Sequence, residues 1–314
     1  MGLRHAYAVT GADDPGKEVS RNRWNEDHVV VDGITLPLWT SPAVPAADNL
    51  NFFARKVGGR MMPAIMGPSG LETSLQPFFG RNKMGLFIPA GNGGADSQVG
   101  MVVNASGTAT SENVATTNLH QEMRRRSWRV TTASTTAVAG LRAGALQWRI
   151  GADVAARGGF FKVWRWGPAT GVATATTRAF VGMRNTVAAP SDANPSTFLN
   201  CGGMGWDAGD ANISFMHNDG SGACTKIDLG ASFPRPTVDL TSVYEIALFS
   251  PPGTTQLLNY EITDLVSGAV ATGVVTTNIP SNTTLLAPYG QISVGGTSSV
   301  IGFATMGLYI ESDY

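Results

Sequence analysis

From residue 84 onward the chain alternates short apolar or β-branched runs with clusters of turn residues. The runs at 84–88, 100–104, 128–132, 146–150, 160–166, 179–183, 213–217, 225–228, 244–249, 258–263, 270–276, 291–294 and 304–310 predict strands. Two of the intervals between them carry hairpin chemistry, Asn218-Asp219-Gly220-Ser221-Gly222 and Asp264 to Gly268. In the run 244–249 only Glu245 is charged, so both faces of that strand are covered. The pattern predicts a mainly β protein whose residues 84–314 form an antiparallel β-sandwich of jelly-roll or lectin-like type. No fixed-period repeat occurs, which argues against a β-helix or a repetitive shaft.

The pattern changes before residue 84. Residues 46–57 (AADNLNFFARKV) place Leu50, Phe53, Ala54 and Val57 at helical spacing, with Asp48 as N-cap and Gly58-Gly59 as a stop, and predict a short helix. Pro and Gly then punctuate the chain so closely that it reads as a shaped connector, giving a second segment of 46–83. Residues 1–45 are turn-rich and hold too few large apolar side chains for a core, so they read as an arm that must pack on something else. Residues 113–126 (NVATTNLHQEMRRR) are a second helical candidate, weakened by their threonines.

Composition narrows the function. Only 14% of residues are charged and glycines number 38, which suits short strands and tight turns. A formal net charge of −1 supplies no field to hold nucleic acid or acidic lipid. The start MGLRHAYAV lacks the apolar core of a signal peptide, and no apolar run is long enough to insert in a membrane. Cys201 and Cys224 are too few for a disulfide framework and read as two free thiols.

Candidate chemistry is sparse. Gly202-Gly203-Met204-Gly205-Trp206-Asp207 opens like a calcium-binding nonapeptide, with Asp210 and Asn212 following, but one copy cannot close a cation cage, and it reads as a Gly-rich turn. His5, His28, His120 and His217 lack metal-ligand spacing, no G-x-S-x-G elbow occurs, and neither metal nor cofactor is expected. Glu245 and Glu261 are the strand-borne acids that a glycan hydrolase would need as a pair; alone they read as sheet-surface residues. The dense basic cluster Arg124, Arg125, Arg126 and Arg129 reads as an anion site or, more simply, as a helix end. Trp164 and Trp166 share one strand face, either sandwich interior or a platform for stacking on sugar rings. Trp206, flanked by Gly and by Asp207 and Asp210, is the first candidate for a ligand-binding loop.

Three stretches together resemble a known family. They are the punctuated run 58–94 (GGRMMPAIMGPSGLETSLQPFFGRNKMGLFIPAGNGG), the element Trp24, Asn25, Asp27, His28, and the acidic-aromatic run 308–314 (LYIESDY). They resemble tail-fibre and other virion structural proteins of tailed bacteriophages, most closely at 59–92, 113–126 and 227–250. The resemblance implies a non-enzymatic virion component, assembled in the host cytoplasm and attached to tail or baseplate proteins through Trp24, Asn25, Asp27 and His28. It also implies a homotrimer and a β domain that meets a host surface polysaccharide. A glycan-degrading tail enzyme and an architectural head fibre or decoration protein are the alternatives.

Overall fold

The structure, a computed structural model, describes residues 36, 38–40, 42–68, 72–74, 83–92, 94–154 and 157–312. The chain divides into two units between Pro37 and Leu38. Trp24, Asn25, Asp27 and His28, with most of the 1–45 arm, lie outside the described residues.

In chain order the first strands are β1 (Asn51–Val57), β2 (Arg60–Met66), β3 (Glu72–Ser74), β4 (Lys83–Pro89), β5 (Asp96–Val99), β6 (Val103–Ser106), β7 (Thr108–Ser111), β8 (Arg126–Ser134) and β9 (Val138–Ala143). They continue with β10 (Phe160–Thr170), β11 (Arg178–Arg184), β12 (Cys201–Trp206), β13 (Ser214–Asn218), β14 (Thr225–Asp228), β15 (Tyr244–Ser250), β16 (Leu258–Asp264), β17 (Val270–Val275), β18 (Ala287–Ser293) and β19 (Ser299–Ser312). Among the described residues these make a small sheet β1-β2-β3 and two large antiparallel sheets. One large sheet runs β17-β16-β15-β10-β19-β4-β5, with β8 added on β19 and β7 on β8; the other runs β14-β13-β12-β11-β18-β9-β6. A single apolar cluster drawn from both fills the space between them, so the molecule is a β-sandwich as its pattern predicts.

Strand β19 is the spine of the nine-stranded sheet. Gly302 to Glu311 lie along β10, while on the other side Thr305 back to Ser299 pairs with β8 and Leu308 to Ser312 pairs with β4. Pro168 sits in this central region where the β10–β19 register shifts, a place that tolerates a residue without an N–H.

Two predicted elements are corrected. Residues 51–57 are not helical: they form β1, which pairs with β2 from Asn51↔Met66 to Val57↔Arg60 around a two-residue Gly58-Gly59 turn with φ of 52° and 87°. Phe53 and Val57 fit a helical face and a strand face equally well, and an isolated helix of this length is marginal; the partner strand, which follows directly after the Gly58-Gly59 turn, decides. The run 202–206 is likewise no turn but the buried strand β12, paired on both sides. The helical candidate 113–126 shrinks to one turn, Leu119–Glu122, capped by Asn118 Oδ1 accepting from Gln121 N at 3.0 Å, because Arg126 already opens β8. Residues 146–150 contribute only a bridge, Trp148↔Leu286. Both predicted hairpins form: 218–222 joins β13 to β14, and at 264–268 Gly268 N donates to Asp264 O at 2.8 Å.

Candidate functional site

The alternation of β10 does put Trp164 and Trp166 on one face, and that face is the inner one. Both are 0% exposed, as is Trp206 on the facing sheet. Trp166 is stacked between Trp206 (centroids 6.0 Å apart, planes at 19°) and Phe303 (5.4 Å, 13°). Each indole N–H is satisfied inside the protein: Trp164 donates to Thr305 Oγ1 at 2.8 Å, Trp206 to Thr177 O at 3.0 Å, and Trp166 to Met204 Sδ at 3.3 Å. Sealed rings with satisfied N–H groups cannot stack on an external sugar, so the three tryptophans are core residues and not ligand contacts.

Asp207 and Asp210 do meet at the end of β12. Lys226, from β14, donates to Asp207 Oδ2 at 3.1 Å and also to Asp210 Oδ2. Asp207 Oδ1 accepts from Ser196 N at 3.0 Å, and Asp210 Oδ2 accepts from Asp207 N at 2.8 Å. The two carboxylates are thus compensated by one ammonium and two backbone N–H groups, a pin that ties residues 194–198 to the sheet edge. Nearby Asp192 takes Arg178 Nε at 3.1 Å and the N–H groups of Gly295 and Gly296 at 3.0 Å. Although burial opposes it, these donors, the Arg178 hydrogen bond foremost, hold the Asp192 carboxyl below its ordinary value.

The other candidate chemistry is also committed to structure. Glu245 pairs with Arg165, while Glu261 accepts the Gly58 N–H at 3.2 Å, so the acids serve different contacts. Arg125 and Arg129 both pair with Glu112, Arg125 also caps the helical turn by donating to Gln121 O at 2.8 Å, and Arg126 lies 3.7 Å from Asp96. Beside them His120 is wholly buried with neither ring nitrogen hydrogen-bonded, and burial, assisted by the Arg125 charge, brings it down to about 4. Among the described residues no three His, Cys, Asp or Glu side chains gather as metal ligands.

Sequence reasoning missed three features. Lys162 pairs in register with Leu248 and Ile310 on the inner face of β10, its Nζ 5.0 Å from the Trp164 ring centroid and without a hydrogen-bond partner. Burial pushes its amine well below the ordinary value. Strict alternation with Trp164 and Trp166 was the available signal. The second is a cysteine pair whose sulfurs approach to 3.4 Å, invisible in a separation of 23 residues.

The third is the surface of the β1–β2 hairpin. Its tip is clamped to the outer face of the nine-stranded sheet by the Gly58–Glu261 hydrogen bond, by Arg60 pairing with Glu311, and by the Arg60 guanidinium 5.0 Å from the Phe161 ring centroid. Phe53, Ala64 and Met66 form its own small core. The opposite face is open: Phe52 is 51% and Met61 51% exposed, and Leu38, Trp39, Val44 and Leu50 are exposed beside them. Trp39 and Phe52 are the only exposed aromatic rings among the described residues. A groove of about 550 Å³, lined by Leu38, Arg55, Lys56, Glu261, Val270 and Val274 among others, runs alongside. The signal was legible: two runs of equal length, NFFARKV and RMMPAIM, flank Gly-Gly.

No family model matches the chain, and no curated protein matches it. Solved structures do. Lectin II from Ulex europaeus is similar at 10% identity, covering 74% of this chain and 100% of that one, with a TM-score of 0.47. Peanut lectin bound to a nine-residue peptide is similar at 12% identity over 67% of this chain and 90% of that one, TM-score 0.43. A protein of unknown function from Shewanella oneidensis is similar at 10% identity over 73% and 85%, TM-score 0.43. These are likenesses at low identity, and the antiparallel β-sandwich stands on the chain's own two sheets and the apolar cluster between them.

Proposed function

We propose that the chain is a non-catalytic structural subunit of a tailed-bacteriophage particle, attached through its N-terminal region and presenting the β-sandwich outward as part of a tail fibre. The observation that carries this reading is the distribution of exposed apolar side chains. Leu38, Trp39, Val44, Leu50, Phe52 and Met61 lie within a short stretch next to residues 1–37, whereas the sandwich keeps its aromatic residues inside. Exposed apolar side chains gathered in one stretch, with the two exposed aromatic rings of the described residues among them, favour a protein-binding face there. The partners in this reading are tail or baseplate proteins and two sister subunits. In this reading the sister subunits meet at the outward face of Phe52 and Met61, because Phe53 is spent inside the hairpin.

Within that reading, the sealed tryptophans and the Lys226-compensated aspartates favour an architectural role over sugar binding at those residues; a host polysaccharide, if bound, is held elsewhere on the sandwich. Mass spectrometry of purified particles of the encoding phage, with labelled antibody against the sandwich in electron microscopy, tests the proposal. The expected result is decoration of the tail and loss of incorporation when residues 1–45 are deleted. Absence of the chain from purified particles overturns it.

A further inference from the structure

Cys201 opens β12 and Cys224 immediately precedes β14, so the two cysteines flank the intervening strand β13 on the outer face of the seven-stranded sheet. Their sulfurs are 3.4 Å apart. Both point at the short 3₁₀ turn Pro195–Thr197 that lies over this face: Cys224 Sγ is 3.1 Å from Phe198 O and 3.4 Å from Pro195 O, and Cys201 Sγ is 3.7 Å from the same Phe198 O. The backbones around them are hydrogen-bonded: Cys201 is in ladder with Asn218 and Cys224 N donates to Ser196 O at 2.8 Å. The pair belongs to a cluster of Phe180, Phe198, Met216 and Tyr289, with the Arg184 guanidinium 3.6 Å from the Phe198 ring centroid.

We propose that Cys201 and Cys224 are a reversible redox pair, dithiol in reducing surroundings and closed to a disulfide by a small-molecule disulfide such as oxidised glutathione. The two sulfurs have unequal roles. Cys224 is half-buried and reachable from solvent, whereas Cys201 is sealed. The hydrogen bond between the two sulfurs lowers the Cys224 thiol, aided by the Arg184 charge, while that bond and burial raise the Cys201 thiol. Cys224 as thiolate therefore attacks one sulfur of glutathione disulfide, forming a mixed disulfide and expelling one glutathione thiolate. Cys201 then loses its proton to solvent, and its sulfur attacks the Cys224 sulfur and releases the second glutathione. Two protein thiols are oxidised and one glutathione disulfide is reduced to two thiols. Closure brings the sulfurs from 3.4 Å to about 2.05 Å and draws the segment at Cys224 toward β12. The bond fastens the β13–β14 hairpin to β12 across the strand between them and locks the turn that covers this face.

The full chain is purified with reductant, transferred to glutathione buffers of graded ratio, and followed by intact mass, peptide mapping and thermal melting. Expected are loss of two hydrogens, a Cys201–Cys224 linked peptide, and a melting temperature raised by roughly 5 °C and restored by reductant. In oxidised glutathione, Cys201→Ser should retain one glutathionyl group on Cys224, while Cys224→Ser should remain unmodified in the folded state. Two thiols that still titrate after native oxidation overturn the proposal. So does an adduct on Cys201 in the folded Cys224→Ser variant, which would reverse the roles.

Discussion

Strands β1 and β10 are alike as strings, NFFARKV and FFKVWRW, each mixing adjacent phenylalanines with cations. Their fates differ. Strand β10 has β15 and β19 as neighbours and a second sheet over one face, so even its lysine is sealed inside; β1 belongs to a three-stranded sheet with one face uncovered, and Phe52 and Lys56 face outward. The difference teaches that burial here is set by how many layers cover a strand, a property of distant partners rather than of the seven residues themselves.

The sharpest way to break the contrast is to empty each strand in turn. Trp166→Ala removes the ring stacked between Trp206 and Phe303 and is expected to cost about 3–5 kcal/mol, whereas Phe52→Ala should change stability by less than about 0.5 kcal/mol. Urea unfolding of the two variants side by side measures it, and equal costs would mean that the hairpin is as enclosed as the sandwich.

Acid should act on the interior first. His120 is neutral in the fold down to about 4, while in the unfolded chain it takes a proton below its ordinary 6.5. Its contribution is therefore complete above pH 6.5, declines as pH falls through the window, and levels off below about 4, for a total of about 3 kcal/mol. Stability profiles of the wild type and His120→Gln should differ in slope across that window; parallel profiles contradict the assignment.

Lys162 sharpens the comparison from the opposite direction, because here a substitution should strengthen the fold. Its amine is held well below the ordinary 10.5, so the unfolded chain binds a proton that the folded chain does not, and stability falls as pH drops below 10.5. Lys162→Met should gain about 1–3 kcal/mol near neutrality, with the gain shrinking toward pH 10.5. Thermal melts at neutral and alkaline pH measure this. Loss of stability in the variant would indicate a partner for the ammonium.

The smallest expected effect on stability belongs to the open face. Phe52→Ser combined with Met61→Ser should leave the melting temperature within about 1 °C while converting the proposed trimer to monomers in sedimentation. An unchanged sedimentation coefficient would move the subunit contact away from the hairpin.

The sandwich was legible from alternation and turn chemistry because those signals are local: Asp264 to Gly268 and the run 218–222 carry their hairpins wherever they stand. The tryptophans were not, since period two says which residues share a face and not whether a sheet covers it. Glycine was the second blind spot. Gly202, Gly203 and Gly205 read as a turn, but a Cβ at Gly203 would lie 2.8 Å from Phe180 Cζ, and one at Gly290 would lie 2.8 Å from Phe303 Cζ and 2.9 Å from Trp164 Cη2. These glycines make room for atoms of strands remote in sequence, backbone as well as rings, since a Cβ at Gly203 would also lie 2.5 Å from Val181 O, a demand no neighbouring residue announces. The cysteine pair was hidden for the same reason.

The double pairing of β19 has a consequence in time. A ribosome delivers β4, β8 and β10 before the strand that joins all three. Until β19 emerges, each of these strands presents an unsatisfied edge in the nascent chain, and the ladder that unites the nine-stranded sheet must close across separations of well over a hundred residues, as between Trp164 and Leu308. Folding of this domain is therefore a late, concerted event, and the interval before it is when the chain is most exposed to pairing with its neighbours on the polysome.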